Sequence, residues 1–169
     1  MSLLSLAIWT PIFLGFFLLV INTKISNTVT YLLGNLFGLI SFFITLYLYF
    51  LFDKSVQGFQ FQEFAPWINY YSINYHVGMD GISLPLILLT SLISWLVIFI
   101  SSNSVKKSLA FYIASFLILS GLMIGVFLSL DAILYYIFWE AMLIPMFLLI
   151  GIWGGPNRVY ATIKFFLYT

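Results

Sequence analysis

Hydrophobic positions in this chain fall in long unbroken runs, not in the spaced stripes of a water-soluble helix. Residues 3–21, 31–52, 82–100, 109–128 and 132–153 are each nearly continuous apolar stretches. At 1.5 Å per residue, each is close to the ~20 residues needed to cross a ~30 Å hydrocarbon core as a helix. Five full spans are predicted. A sixth apolar stretch opens at 159 and reaches only 169. Its last part, from Ile163, is ~10 Å of helix and cannot cross, so the chain is expected to be a piece of a longer protein.

The connecting segments add detail. The first run lacks the basic start and small-residue cleavage site of a signal peptide, so it reads as a retained helix with Pro11 inside it. Residues 22–30 (NTKISNTVT) read as a polar loop whose Ser and Thr can cap the second helix. Gly34 and Gly38, and again Gly121 and Gly125, stand four apart on one helix face, which permits close backbone approach. The long polar segment 53–81 contains 59–64 (FQFQEF), which alternates with period two, and a second extended piece at 70–77 would complete a small hairpin. His76 and Asp80 near its end read as solvated loop residues. Ser83 is expected to cap the third helix, with Pro85 in its first turn. Ser129-Leu130-Asp131 leaves almost no loop, so the fourth and fifth helices must be adjacent and antiparallel, with Asp131 capping the fifth. Gly154-Gly155-Pro156 ends that helix.

Composition agrees with a membrane solvent: 63% of the 169 residues are hydrophobic and 7% charged, with no cysteine and one histidine, His76. Cysteine-ligated Fe–S or zinc sites and paired-histidine haem are therefore excluded within the chain. The net charge of +1 gives no footprint for nucleic acid. Basic residues are unevenly placed. Lys24, Lys106, Lys107 and Arg158 lie in the loops after the first, third and fifth spans, Lys164 lies just inside the sixth, and Lys54 stands alone on the other side. The positive-inside bias puts the N-terminus outside, together with the hairpin segment and Asp53, Glu63 and Asp80. The expected fold is an all-α membrane protein: a single membrane domain over 1–169 with five full transmembrane helices, the start of a sixth, and a small external β-hairpin.

One carboxylate breaks the apolar pattern. Glu140 stands inside the fifth run, ~10 Å from its outer end. A carboxylate at that depth is costly and is usually retained for a function. Burial would raise its pKa and a cationic partner would lower it, which suits a group that exchanges protons near neutral pH. Same-face neighbours Tyr136, Ile137, Leu143 and Ile144 offer at most one phenol. Pro145 cannot donate to the Ala141 carbonyl and leaves it free beside the carboxylate. Lys164 is the nearest cation in a span, but it enters from the opposite side. The bland alternative is a neutral, hydrogen-bonded packing glutamate.

Phe138-Trp139-Glu140-Ala141-Met142-Leu143-Ile144-Pro145-Met146, then Gly151-Ile152-Trp153-Gly154-Gly155 and Lys164-Phe165-Phe166-Leu167-Tyr168-Thr169, resemble the antiporter-like membrane subunits of respiratory complex I, the NADH:quinone oxidoreductase. Met79-Asp80-Gly81-Ile82-Ser83-Leu84 is similar to the family's segment before its third helix. The resemblance implies that Glu140 belongs to proton-translocation machinery and pairs with a lysine on a later, broken helix, with Lys164 in a lesser role. It also implies that this chain binds no cofactor. NADH, FMN, Fe–S clusters and quinone would be held by other subunits. Its partners would be the other antiporter-like and small hydrophobic membrane subunits and the lipid bilayer. A bacterial inner membrane, or alternatively the mitochondrial inner membrane, would be its location. The competing readings are a subunit of a multisubunit cation/proton antiporter and a non-catalytic membrane scaffold.

Overall fold

In the computed structural model, residues 3–22, 26–71, 73–105 and 108–169 are described. Lys24, Lys106 and Lys107, on which most of the charge bias rests, lie outside them. The elements are α1 (Leu3–Ile21), α2 (Asn27–Leu51), β1 (Gln60–Ile68), β2 (Ile73–Met79), α3 (Ser83–Ser104), α4 (Leu109–Leu128), α5 (Ala132–Trp153) and α6 (Arg158–Tyr168). Helices α1 to α5 are each long and apolar enough to cross a membrane. Helix α2 starts earlier than the hydrophobic run predicts. Asn27–Thr30 continues the helix although polar, and the Thr30 hydroxyl donates back to the Ser26 carbonyl at 3.1 Å.

Helix α4 forms the centre, touching α1, α2, α3 and α5. Small residues let it do so. A Cβ on Gly121 would sit 2.6 Å from the Ile8 carbonyl oxygen of α1, and one on Gly15 of α1 would sit 3.0 Å from the Ala114 carbonyl oxygen of α4. Gly125 instead receives the Phe138 ring of α5. The four-residue spacing in α4 thus serves two different neighbours. On α2 the pair divides likewise, Gly34 against Ile113 of α4 and Gly38 against Trp95 of α3.

Strands β1 and β2 form the expected antiparallel hairpin, with Glu63 opposite Val77 and Phe64 opposite His76. The second strand runs later than the sequence pattern predicts, because Asn69–Tyr71 make a 3-10 turn at the tip. A bulge between Gln60 and Glu63, with Phe61 at φ 52°, turns the Phe61 ring onto the core. The other edge of β2 is taken by the bend between α4 and α5: Val77 bridges Ser129, and the Leu130 N–H donates to the His76 carbonyl at 2.9 Å. Gly78 leaves room for Leu130 there, since a Cβ would fall 2.7 Å from its Cδ1.

Three carboxylates fix helix starts. Asp131 accepts from the Ile133 and Leu134 N–H groups at 2.9 and 3.1 Å and, through its other oxygen, from Asn74 of β2 at 3.2 Å. The cap on α3 is Asp80, which accepts from the N–H groups of Ser83 at 2.7 Å and Ile82 at 3.2 Å. Ser83, expected to be the cap, reciprocates by accepting from the Asp80 N–H at 2.9 Å. Asp80 is thus structural and not merely a solvated loop residue. The third is Glu63, discussed next.

Candidate proton-handling site

Successive residues of an α-helix turn by ~100°, so faces can be assigned from contacts. On α5, Leu134, Phe138, Pro145 and Leu149 are buried and share one face, while buried Leu143 lies on the side of Glu140. The helix runs unbroken through Pro145. Glu140, two positions past Phe138, projects from the opposite face at ~160° from it. It is half-buried. The Tyr136 phenol, one turn earlier on the same face, interacts with its carboxylate. Around this level the ring of Trp139 stacks on Tyr135 at 6.0 Å, and Trp9 of α1 lies 6.4 Å from Phe138.

Helix α6 packs on the Glu140 face, but deeper. Phe147 meets Phe166 with ring centroids 5.7 Å apart, and a Cβ on Gly151 would touch Thr162 at 3.6 Å. These pairs fix an antiparallel register between α5 and α6. The same register sets Lys164 opposite Leu149, ~14 Å along the axis from Glu140 at 1.5 Å per residue. Lys164 lies over the faces of Tyr160 and Tyr168, at 5.4 and 5.8 Å from their centroids. The two sequence-selected residues therefore share a helix pair but do not meet. Arg158 caps the other end of α5, its Nη1 donating to the Ile152 carbonyl at 2.9 Å.

A third acidic residue escaped the sequence reading of function. Glu63 of β1 accepts from the Leu4 N–H at 2.7 Å, from the Ser5 N–H at 3.1 Å and from the Ser5 hydroxyl, which also meets the Tyr75 hydroxyl at 2.8 Å. It thus supplies the acidic group that α1 lacks in its own first turn. The one hint in the sequence was that lack of an acid near Leu3. Between hairpin and helices, Trp9, Pro66, Trp67, Tyr75, Leu134 and Phe138 line an apolar groove of about 320 Å³. The Asp131 carboxyl is held below the usual carboxylate range, first by the Leu134 N–H, with Asn74, Ile133 and the His76 charge adding and burial opposing. Among the described residues no three His, Cys, Asp or Glu side chains converge to hold a metal ion.

Residues 55–131 match the family described as NADH-ubiquinone oxidoreductase chain 4, amino terminus, and residues 129–169 the family described as NADH:quinone oxidoreductase/Mrp antiporter, TM. NADH-quinone oxidoreductase subunit M of Rickettsia prowazekii is 35% identical over 171 residues, covering 100% of this chain and 35% of that protein. NADH-ubiquinone oxidoreductase chain 4 of Arabidopsis thaliana is 42% identical over 139 residues, 82% of this chain and 28% of that one. A chain of the solved respiratory complex I from Thermus thermophilus with bound NADH superposes with a TM-score of 0.81 at 26% identity, over 98% of this chain and 32% of that one. The chain thus spans about a third of the length of the relatives it matches. It belongs to the family of antiporter-like membrane subunits of respiratory complex I, subunit M or chain 4 of the NADH:quinone oxidoreductase.

Proposed function

We propose that the chain is part of a proton-translocating membrane-arm subunit, in which Glu140 takes up and releases a proton as NADH oxidation and quinone reduction proceed elsewhere in the complex. The observation that carries this reading is the placement of Glu140. It lies on the side of α5 that α6 packs against, away from the Phe138 face, and meets the Tyr136 phenol. A packing glutamate would be turned into the core and saturated. A lysine brought to that face from another helix would attract the carboxylate charge, and withdrawing it would free the carboxyl to take a proton from water. Lys164, exposed on α6, takes a lesser part as a charge on the inner side. NADH, FMN, Fe–S clusters and quinone belong to other subunits in this reading. The neighbours are antiporter-like and small hydrophobic membrane subunits, and the membrane is a bacterial inner membrane with the N-terminus outside, or the mitochondrial inner membrane of forms such as the Arabidopsis relative.

The test is Glu140→Gln in the complete protein within its assembled complex, with NADH-driven proton uptake measured in vesicles. Loss of pumping with assembly intact supports the proposal, and undiminished pumping refutes it. A second reading, a subunit of a multisubunit cation/proton antiporter, is favoured by the match of residues 129–169 to a family that includes Mrp antiporters. Sodium-driven proton exchange in vesicles without any NADH would select it.

A further inference from the structure

The hydroxyls buried in the spans follow a rule with two exceptions. Ser91, Ser101 and Ser115 each donate to a carbonyl of their own helix, at 2.9, 2.6 and 2.7 Å. The hydroxyls of Ser41, 3% exposed, and Ser120, 1% exposed, have no partner. A buried, unpaired hydroxyl costs roughly 1–3 kcal/mol. Two at one place call for an explanation.

Helix geometry puts them at one place. Helices α2 and α4 run parallel, and Gly34 touches Ile113. Two turns farther along both helices, on the same two faces, stand Ser41 and Ser120. That register sets them at one level of the α2–α4 contact near the middle of both spans, and neither hydroxyl has a hydrogen-bond partner. A third polar group lies beside them. Pro11 of α1 has no N–H, so the carbonyl of buried Ala7 loses its helical donor. The Pro11 ring packs 3.0 Å from the Cβ position of Gly121, the residue next to Ser120. Two hydroxyls and a carbonyl without its helical donor thus stand at about one level where α1, α2 and α4 join. Ordered buried water typically makes two to four such bonds, about three on average.

We propose that Ser41, Ser120 and the Ala7 carbonyl bind one buried water at mid-depth of the membrane, tying α1 and α2 to α4. The site lies ~140° around α4 from Gly125, which receives Phe138 of α5. It is therefore separate from the Glu140 face, holds the bundle together, and does not depend on the pumping role of Glu140.

The test is a density map of the complete subunit in its native assembly, at a resolution that shows ordered water. The expected result is a peak within ~3.2 Å of both hydroxyls. That peak should vanish in Ser41→Ala/Ser120→Ala and persist in Ser41→Thr, with NADH-driven proton uptake changed by less than about twofold in either. A map with no peak, in which the two hydroxyls donate to the Phe37 and Phe116 carbonyls or to each other, overturns the proposal. The wild-type map decides the matter if the double variant does not assemble.

Discussion

Glu63 accepts hydrogen bonds from two backbone N–H groups and a hydroxyl at the start of α1, whereas Glu140, within a span, meets one phenol. Both are half-buried. A carboxylate that accepts from several fixed donors holds a helix end, and removing its oxygens would break those contacts. Glu140 holds no helix end, and a change at it disturbs fewer contacts. The two acids differ in the count of their donors rather than in burial.

The largest effect that sharpens this contrast is expected at Glu140. Replacing it with Gln should lower proton translocation about a hundredfold, the typical scale for a removed proton-transfer group, with thermal stability of the complex unchanged. The opposite pattern is predicted for Glu63→Ala: a loss of about 3 kcal/mol in stability, read as faster amide exchange at Leu4 and Ser5. Glu63→Gln, which keeps an acceptor, should lose less. Equal effects of Glu140→Gln and Glu63→Gln on stability would erase the distinction.

Asp131 offers a finer test through pH. Its pKa is depressed, so the stability it gives α5 is fully present above the ordinary carboxylate pKa of ~3.9 and is lost as pH falls through the lower folded value. The amide protection factors at Leu134 and Asn74 should therefore be flat from neutral pH down to about 4 and fall only below it. Asp131→Ala should remove that step and cost about 1 kcal/mol. The smallest effect is expected for Tyr136→Phe. Loss of one exposed phenol contact should leave the maximal rate of pumping within a few-fold. A loss as large as that of Glu140→Gln would make the phenol part of the proton path.

Much of this was legible because a membrane enforces simple rules. Apolar runs named the five spans, and a lone carboxylate in one of them named Glu140. The Asp131 cap was visible because cap and helix are neighbours in sequence. Glu63 was not, because its partners Leu4 and Ser5 are distant in the chain and meet it only through the hairpin. The start of α2 was missed because Asn27–Thr30 is polar yet helical, and polarity alone marks a loop only where no hydroxyl can turn back to the backbone. The separation of Glu140 from Lys164 needed the α5–α6 register, which no spacing within one helix contains.

The bend that closes over β2 has a consequence for how the hairpin can be recognised. With Ser129 and Leu130 seated against Val77 and His76, that part of the β2 edge is already occupied against an incoming strand. On β1, Pro66 has no N–H to offer, which interrupts pairing along that edge. The exposed side chains of Trp67, Tyr70 and Tyr71 offer a neighbouring polypeptide an aromatic surface at this end of the molecule.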